Sequence, residues 1–529
     1  MAVTDIESRA RRRLSAVEPP RSRSPRLASI GRALLVLAVA AASVVGVVLF
    51  GVSSGELWLD EAQSVAIARL PTGDLFDALR NDGAPPLYYL VLHAWIRVFG
   101  ESTTAVRSLS GVFALASLPA MWFLARALAG RHVAWSATAL LATSPFLIRY
   151  STETRMYSAV VLLVLLGGMA LVRAAASPTI PRLALVSLAS GALLLTHYWA
   201  FYLIGALLVA LAIDARRGRT SWRLVGAIAA GGVLFLPWLP TFLFQIRHTG
   251  APWAGRPTLG DFVEQLRAYA GRPDDLDSAG WVLWLLLIVL VTLGAFARRG
   301  RSGIVELRWQ GNEHGRQLGL ITAATLGLAF VVGLVADAPV AARYTAVAFP
   351  LVVLLATLGL HTIGGRAATV LLAIATVAGV LGGYDAASTE RTAAPRVAAE
   401  LERRARPGDV VVYCPDQLGP STSRLADVDV RQVTFPMLRE PGFVDWVDYM
   451  DRVDGTDLER FARRVDAMAG DNSLWLVTAP NYLTMSSTCA ALRSEIEQLR
   501  PQHTEVVRAD GRFFEQAQLF RMRRAVNPA

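Results

Sequence analysis

Long runs without a single aspartate, glutamate or arginine dominate the chain up to residue 384. A helix of about 20 mostly apolar residues is enough to cross a bilayer. Ten such runs occur, at 33–55, 108–125, 133–148, 156–172, 183–213, 224–246, 278–297, 317–336, 344–365 and 367–384. The pattern predicts a polytopic α-helical membrane protein.

The run 183–213 is too long for one span. It carries His197, Tyr198 and Trp199 at its middle, so we interpret it as two spans joined by a tight turn, which gives about eleven transmembrane helices in total. The first run, 33–55, is longer than a signal-peptide core and has no clear small-residue cleavage site. It is therefore expected to remain as an anchor.

Beyond residue 384 the pattern changes. Strand-like runs at 410–413, 474–478, 505–507 and 518–521 alternate with helical patterns at 397–404, 458–468 and 490–499. This alternation predicts a small α/β domain, with α+β as the alternative. Both cysteines, Cys414 and Cys489, lie in it; an oxidising compartment would permit a disulfide, and two buried free thiols are the alternative.

Three regions follow from these patterns. Residues 1–28 form a basic tail, 29–384 a transmembrane module, and 385–529 the C-terminal α/β domain. The composition agrees, because 53% of the 529 residues are hydrophobic and only 18% are charged, against about 25% charged residues in soluble domains. A disordered chain, a fibrous chain and a set of soluble domains are excluded.

The charge of +10 points at first to either nucleic acid or a membrane as the partner. All 52 basic residues are arginine, and seven of them precede residue 27. The predicted inner loops hold fourteen arginines and three acids, whereas the outer loops before Arg343 hold ten arginines and fourteen acids. This positive-inside bias favours a multi-pass plasma (inner) membrane protein with a cytoplasmic N-terminus and an extracytoplasmic C-terminal domain, without nucleic acid as a partner.

The first predicted outer loop contains the most informative segment, Trp58-Leu59-Asp60-Glu61. Adjacent carboxylates at a membrane surface are costly unless they are solvated or used. One of them could accept the proton of an acceptor hydroxyl as that hydroxyl attacks. The alternative is a solvated helix start, with both acids near the positive end of the helix dipole.

The same loop continues through Asp82 and two prolines to Tyr88 and Tyr89. The apolar stretch up to Phe99 is too short to span easily and predicts an interfacial helix along the outer leaflet. Asp82 and Tyr88 are candidates for lining a site. Tyr89 and Trp95 are interpreted as anchors in the interfacial aromatic belt.

The next predicted outer loop runs from Arg149 to Tyr157. A functional interpretation has Glu153 facing the same cavity as Asp60, with Arg155 reaching toward an anionic ligand. The alternative is a local ion pair between Glu153 and Arg155 that caps a helix.

Two further candidates lie at predicted outer span ends. Arg343, before Tyr344, either snorkels to the headgroups or holds a lipid phosphate, since guanidinium donors suit phosphate oxygens. His197 is a candidate lining residue, although a lone histidine at a turn is more often a structural hydrogen-bonding group. No metal-ligand spacing and no nucleotide-binding loop occurs in the sequence. No cofactor is therefore expected, although the pattern leaves a divalent metal open.

These residues together resemble the GT-C superfamily of polyprenyl-phosphate-sugar-dependent glycosyltransferases, in particular the bacterial protein O-mannosyltransferases of family 39 and the aminoarabinose transferases. The resemblance covers about residues 30–360. It rests on Trp58-x-Asp60-Glu61-Ala62, Pro85-Pro86-Leu87-Tyr88-Tyr89, Ser144-Pro145-Phe146, Tyr150-Ser-x-Glu153-x-Arg155-Met156-Tyr157, and Arg343-Tyr344 followed by Pro350.

The resemblance implies an enzyme that takes a sugar from a polyprenyl-phosphate donor at the outer membrane face. Asp60 corresponds to the catalytic base, with Glu61 beside it, and Glu153 to the second-loop acid. Because Arg155 stands where oligosaccharyltransferase-like members have another acid, cationic side chains are expected to hold the donor phosphate. Arg343 is the first choice and Arg155 the second, and the neighbouring candidates for phosphate or substrate are Tyr344, Arg149 and Tyr157.

The expected reaction is a single, inverting displacement onto a glycan, lipid or protein acceptor of the envelope. Mannose or arabinofuranose is favoured as the sugar by family association alone. Two other classes stay open at this point. A transporter or flippase of a lipid-linked sugar would carry charges near span midpoints, and a non-catalytic scaffold would use the C-terminal domain to bind an envelope partner.

Overall fold

A bundle of helices followed by a five-stranded sheet makes up the computed structural model. It describes residues 25–250, 256–272, 275–300, 305–307, 313–338, 340–480, 482 and 485–525, with side chains from residue 30 onward. In the basic tail 1–28, the arginines up to Arg23 lie outside this description, as do the inner-loop Arg301 and Arg308, and Arg26 is described by its backbone alone.

The helices of the bundle lie between residues 25 and 388, and most of them are apolar runs. Their bounds are α1 (Pro25–Leu49), α2 (Leu59–Ala68), α3 (Thr72–Asp82), α4 (Leu87–Phe99), α5 (Thr103–Ala129), α6 (Arg131–Ala142), α7 (Pro145–Ser151), α8 (Tyr157–Ala176), α9 (Ile180–Leu194), α10 (Ala200–Arg216), α11 (Trp222–Phe235), α12 (Leu239–His248), α13 (Leu259–Leu266), α14 (Ser278–Phe296), α15 (Glu313–Ala336), α16 (Phe349–Ile363) and α17 (Gly365–Ser388). Short 3-10 helices occur at Leu236–Trp238, Arg267–Tyr269 and Ala342–Val347, and β1 (Ala297–Arg299) pairs antiparallel with β2 (Val305–Leu307).

Seven helical segments are long and apolar enough to cross a membrane in the described part of the chain. They are Ile30–Leu49, Thr103–Ala129, Tyr157–Ala176, Trp222–His248, Ser278–Phe296, Glu313–Ala336 and Gly365–Ser388. Large apolar side chains such as Leu34 and Val335 stay exposed on them, as lipid contact requires. The prediction of a polytopic membrane protein is confirmed, and the total of eleven spans stays a prediction.

Two of the charge-free runs each form two helices instead of one. The run 183–213 is a helix pair, α9 and α10, with His197 in the turn, as predicted. The run 133–148 is broken between α6 and α7, because the Ser144 hydroxyl accepts a hydrogen bond from the Leu147 amide and Pro145 follows at the first helical position. A serine cap followed by proline starts a new helix.

A close contact between two helices of the bundle, α14 and α16, depends on two glycines. A Cβ atom on Gly294 of α14 would lie 2.0 Å from the carbonyl oxygen of Leu355, and one on Gly359 of α16 would lie 2.0 Å from that of Leu290. Only glycine permits backbones to approach this closely, and small residues mediate helix association in membranes in this way.

After α17 the chain forms the predicted α/β domain. Its strands are β3 (Val410–Cys414), β4 (Arg431–Thr434), β5 (Leu474–Thr478), β6 (Gln502–Val507) and β7 (Gln518–Arg523), and its helices are α18 (Ala394–Arg404), α19 (Gly419–Ser423), α20 (Tyr449–Asp454), α21 (Leu458–Ala469) and α22 (Ser486–Leu499). The strand order is β4-β3-β5-β7-β6, with β3 parallel to both neighbours and β7 antiparallel to both of its own.

All four predicted strands are present, whereas β4, with only four residues, carries no apolar run that the sequence pattern could reveal. Of the two alternatives for the cysteines, the structure has the disulfide, which joins Cys414 at the end of β3 to Cys489 in α22.

The domain core reaches into the bundle. Trp58 and Leu59, just before Asp60, are buried in the same apolar cluster as Val412 of β3 and Met485. A second contact joins the Gln63 side chain of α2 to the backbone of Val444, with a 3.1 Å bond from the Val444 amide. The helix that carries Asp60 is therefore packed between the bundle and the α/β domain.

Candidate functional site

Asp60 lies in the first turn of α2, at the end of the bundle that contacts the α/β domain. Its carboxylate is 18% exposed and lies near two arginines from different parts of the chain. Nη1 of Arg343 lies 3.4 Å from Oδ2 of Asp60, and Nε of Arg155 lies 3.9 Å from the same oxygen. Both contacts are ion pairs without hydrogen-bond geometry, so they hold the carboxylate loosely.

Several buried polar atoms around Asp60 have no hydrogen-bond partner. They include Nε of Arg155, Nε of Arg343, the hydroxyl of Tyr157 and the indole nitrogen of Trp58. A buried donor without a partner costs about 1–3 kcal/mol. Such a set of donors at one place is typical of a site that a polar ligand completes.

A hydrogen-bond network fixes the position of Arg155. Its Nη1 donates to the Ser64 hydroxyl at 2.9 Å and to the Tyr89 hydroxyl at 3.3 Å. The Tyr89 hydroxyl in turn donates to Oδ2 of Asp82 at 2.9 Å. Burial raises the pKa of Asp82, although Arg155 opposes that effect. Asp82 thus belongs to the same network as Asp60, through Arg155 and Tyr89.

The interpretation of Tyr89 as a belt anchor is wrong. Its side chain is 0% exposed and bonds to Asp82, because the first turn of α4 packs against α2 and α5. Tyr88, expected to line a site, is also buried, and its hydroxyl has no partner. Trp95 donates its indole N–H to the carbonyl of Ala105 at 2.9 Å and is only partly buried.

Aromatic rings form one wall of the site. The ring of His197 lies 5.8 Å from that of Tyr157 and 5.3 Å from that of Tyr344, and the Arg343 guanidinium lies 5.6 Å from the Tyr344 ring centre. Burial, reinforced by Arg155 and Arg343, lowers the pKa of His197 to about 3. His197 is therefore neutral and adds no positive charge to the site.

Glu61, unlike its neighbour Asp60, is fully enclosed by hydrogen-bond partners. Arg107 donates to both of its oxygens, at 2.8 and 2.7 Å, and the Thr154 amide donates to one of them at 2.8 Å. Burial alone would raise the pKa of Glu61, but Arg107 and then Arg391 lower it below its usual range. Its carboxylate ties α2 to α5 and to the loop before α8.

Glu153 is likewise paired, and it is not among the residues that contact Asp60. Nη1 of Arg391 lies 3.1 Å from Oε2 of Glu153, and Nε of Arg149 lies 3.4 Å from the same atom. The Glu153 side chain is 1% exposed, so the expected position facing a shared cavity with Asp60 is not observed. Burial and Arg149 lower the pKa of Arg391 to about 10.

Arg107 and Arg391 were not predicted as site residues from the sequence. Arg107 had a signal, because it stands just before a charge-free run and inside a helix that begins at Thr103. A charge at such depth requires a partner. Arg391 had no such signal, since it lies in the connection between α17 and α18 and meets Glu153 only through the fold.

No group of three or more His, Cys, Asp or Glu side chains that could hold a metal ion occurs within the described residues. The positive charge next to Asp60 comes from Arg155 and Arg343. The arrangement is suited to binding an anion beside a carboxylate.

The bundle and the α/β domain together define a multi-pass membrane protein with a C-terminal α/β domain. Residues 83–240 match the family described as dolichyl-phosphate-mannose-protein mannosyltransferase. No curated protein matches the chain significantly.

Two solved structures of membrane proteins have a similar fold. The crystal structure of ArnT from Cupriavidus metallidurans bound to undecaprenyl phosphate is similar with a TM-score of 0.59 and 13% identity, over 92% of this chain and 98% of ArnT. The apo oligosaccharyltransferase of Archaeoglobus fulgidus is similar with a TM-score of 0.54 and 10% identity, over 88% of this chain and 72% of that one. The resemblance to the GT-C superfamily is confirmed.

Proposed function

We propose that the protein is a membrane glycosyltransferase that moves a sugar from a polyprenyl-phosphate donor to an acceptor hydroxyl, with Asp60 as the base. One observation carries the proposal: the Asp60 carboxylate lies between two arginines that each keep a buried Nε without a hydrogen-bond partner. A sugar-phosphate donor carries its phosphate on the reacting carbon. A phosphate bound by these arginines would therefore place that carbon close to the Asp60 carboxylate. The description of the matching family and the undecaprenyl phosphate bound by ArnT support this assignment.

The arginines are the proposed phosphate ligands, with Arg343 first and Arg155 second. Guanidinium groups bind phosphate oxygens through paired hydrogen bonds. When a phosphate takes the free donors of both arginines, their loose pairs with Asp60 weaken. Donor binding would then release the carboxylate to accept a proton.

The reaction is a single displacement. The acceptor oxygen forms a bond to the anomeric carbon, the bond from that carbon to the phosphate oxygen breaks, and the acceptor proton passes to Asp60. The polyprenyl phosphate leaves with the electron pair, and Arg343 and Arg155 stabilise its charge. One displacement inverts the configuration at the anomeric carbon.

Other candidate residues receive graded roles. Tyr344, Tyr157 and His197 form the aromatic wall, where rings can pack against a sugar face. Asp82 reaches Arg155 through the Tyr89 hydroxyl, and the buried Tyr88 ring packs against that of Tyr89. Their proposed role is to hold that arginine and to shape the cavity.

Three charged candidates receive a positioning role in place of the direct one that the family resemblance implied. Glu61 and Glu153 are saturated by arginines, and Arg149 is paired with Glu153. They are proposed to fix the two loops that carry Asp60 and Arg155.

The sugar and acceptor are proposed by family association. Mannose is the first choice of sugar and arabinofuranose the second. The acceptor is an envelope glycan, lipid or protein at the outer face of the plasma membrane. In this arrangement residues 29–384 form the catalytic module, and residues 385–529 form an extracytoplasmic domain above it.

The test uses the purified full-length protein in lipid nanodiscs, with undecaprenyl-phosphate-linked mannose and arabinofuranose as labelled donors and an envelope extract as acceptor. Wild-type protein is expected to form labelled product and free undecaprenyl phosphate. Asp60→Asn should form neither, whereas Asp77→Asn, an exposed acid of α3, should match the wild type. In sealed liposomes that carry the same protein, movement of the lipid-linked sugar across the bilayer without covalent product would favour a flippase.

A further inference from the structure

The first turn of α2, which carries Asp60, has no cap from its own neighbourhood. Trp58 occupies the N-cap position and gives no side-chain hydrogen bond. Free amide groups at a helix start require an acceptor. The Leu59 amide finds one in Oε2 of Glu515, at 2.6 Å, from a residue 456 positions further along the chain.

Glu515 is itself held firmly at this position. The Ser421 hydroxyl donates to its Oε1 at 2.6 Å, and the Thr392 hydroxyl donates to the same oxygen at 2.5 Å. Its backbone amide donates to the carbonyl of Arg391 at 2.8 Å. Four donors therefore fix this segment, and the three that reach the carboxylate favour its charged form.

The residue before Glu515 adds an apolar contact to the same loop. The Phe514 ring lies edge-on to the Trp58 ring, with 5.3 Å between centres. The guanidinium of Arg343 also lies near the Trp58 ring, at 5.8 Å from its centre. The segment 514–515 of the α/β domain thus contacts both residues that precede Asp60.

We propose that Glu515 is a positioning residue, whose ionised carboxylate caps α2 and thereby fixes the direction of the Asp60 side chain. The inference rests on the proposed role of Asp60 as the base. It gives the α/β domain a function in the reaction, because the cap comes from that domain and not from the membrane-embedded helices.

The cap depends on the charge of Glu515. Burial raises the pKa of Glu515 to about 7, and the negative charge of Asp60 contributes to this effect. Among the described residues, Tyr482 also faces Glu515, and the neighbouring Arg391 directs its guanidinium to Glu153. Glu515 is therefore ionised above pH 7 and becomes neutral below it, where the charge-assisted bond to Leu59 and the favourable interaction with the helix dipole weaken.

Hydrogen exchange of the full-length protein in nanodiscs tests the cap without any substrate. Peptides that cover residues 57–68 are followed by mass spectrometry between pH 6 and pH 8.5, with peptides from α21 as the reference. After correction for intrinsic exchange, wild-type protection at the start of α2 should rise about ten-fold across this range. The sign follows because local opening of α2 leaves Glu515 buried and breaks only the bond from the Leu59 amide, which is stronger to the ionised carboxylate. Glu515→Gln, which keeps the shape and an acceptor oxygen, should stay at the low-pH level throughout.

Transfer kinetics supply the second measurement, with undecaprenyl-phosphate-linked mannose and arabinofuranose as donors. Wild-type kcat should fall about ten-fold as the pH drops from 8 to 6, with KM for the donor nearly constant. Glu515→Gln should have a lowered kcat that does not fall further between pH 8 and pH 6. Glu505→Gln, a change in β6 away from the cap, should keep the wild-type profile.

The outcomes separate the two proposals. A wild-type protection curve that is flat with pH, or a rise that persists in Glu515→Gln, would overturn the role of Glu515. Full transfer by Asp60→Asn would overturn the proposed function and leave the exchange result standing. If Glu515→Gln fails to fold, the wild-type exchange series alone decides, since it needs no variant.

Discussion

Nη1 of Arg343 lies 3.4 Å from Oδ2 of Asp60, while Nε of the same arginine is buried without a hydrogen-bond partner. One side chain therefore links Asp60 to a buried guanidinium donor that is suited to binding an anion. Arg343 is the second residue of a 3-10 helix, Ala342–Val347. Donor binding, as proposed, requires this contact to give way to the phosphate.

Arg343→Gln should raise the KM for the polyprenyl-phosphate donor by at least about ten-fold and lower kcat as well, because the guanidinium binds the phosphate in both the ground state and the transition state. Arg155→Gln should act in the same direction. Arg247→Gln, an exposed arginine of α12, is the control. Steady-state kinetics with a labelled donor give the measurement, and an unchanged donor KM in both variants would argue against a phosphate site here.

Glu61 should behave unlike its neighbour Asp60. Glu61→Gln removes the charge that neutralises Arg107 and assists Arg391, and breaking a buried ion pair costs about 3–5 kcal/mol. Asp60→Asn should cost far less, since its two contacts are loose. Thermal unfolding in nanodiscs compares the two variants, and equal melting temperatures would contradict a structural role for Glu61.

Arg391→Gln should have the same kind of effect as Glu61→Gln. It leaves Glu153, 1% exposed, with only the longer contact to Arg149. A double-mutant comparison of Arg391→Gln with Glu153→Gln checks the pair, because removing both charges should cost less than the sum of the single changes. Additive losses would show that the two side chains do not interact.

These buried pairs mark the limit of what sequence patterns reveal. The apolar runs predict the helices, and the alternating pattern predicts the α/β domain, because both signals are local and periodic. The shortest arginine contacts of Glu61 and Glu153 come from residues distant in the chain, at 107 and 391. Adjacent acids such as Asp60 and Glu61 look equivalent in sequence, and only the helical turn that separates their directions gives them different roles.

The pH dependence of stability should reveal a buried acid in the α/β domain. Burial raises the pKa of Asp416 to about 7, while the Tyr449 hydroxyl donates to its Oδ1 at 2.6 Å. Between the unfolded pKa near 4 and this folded value, the folded state binds more protons, so stability falls as the pH rises through that window. Asp416→Asn should remove this contribution.

The measurement is the melting temperature of the full-length protein at pH 5 and pH 8, followed by tryptophan fluorescence. The difference between the two pH values should shrink by about 5 °C in Asp416→Asn relative to wild type. Asp427→Asn, in the same domain, is the control. A pH difference that is the same in all three proteins would contradict the assignment.

Divalent metal should not be needed for transfer, because Arg155 and Arg343 already supply positive charge beside Asp60. Product formation should therefore continue in excess EDTA at close to the untreated rate. Loss of activity that Mg²⁺ or Mn²⁺ restores would require a metal at the site and a different account of phosphate binding.

The most direct test of the central claim is a single-turnover assay with Asp60→Asn and the donor that wild type uses. The asparagine keeps the shape of the side chain and cannot accept a proton from the acceptor. Donor binding, measured with labelled undecaprenyl-phosphate sugar, should be retained, and the rate of product formation should fall at least about 100-fold. An Asp60→Asn protein that binds the donor and transfers the sugar at the wild-type rate would contradict the assignment of Asp60 as the base.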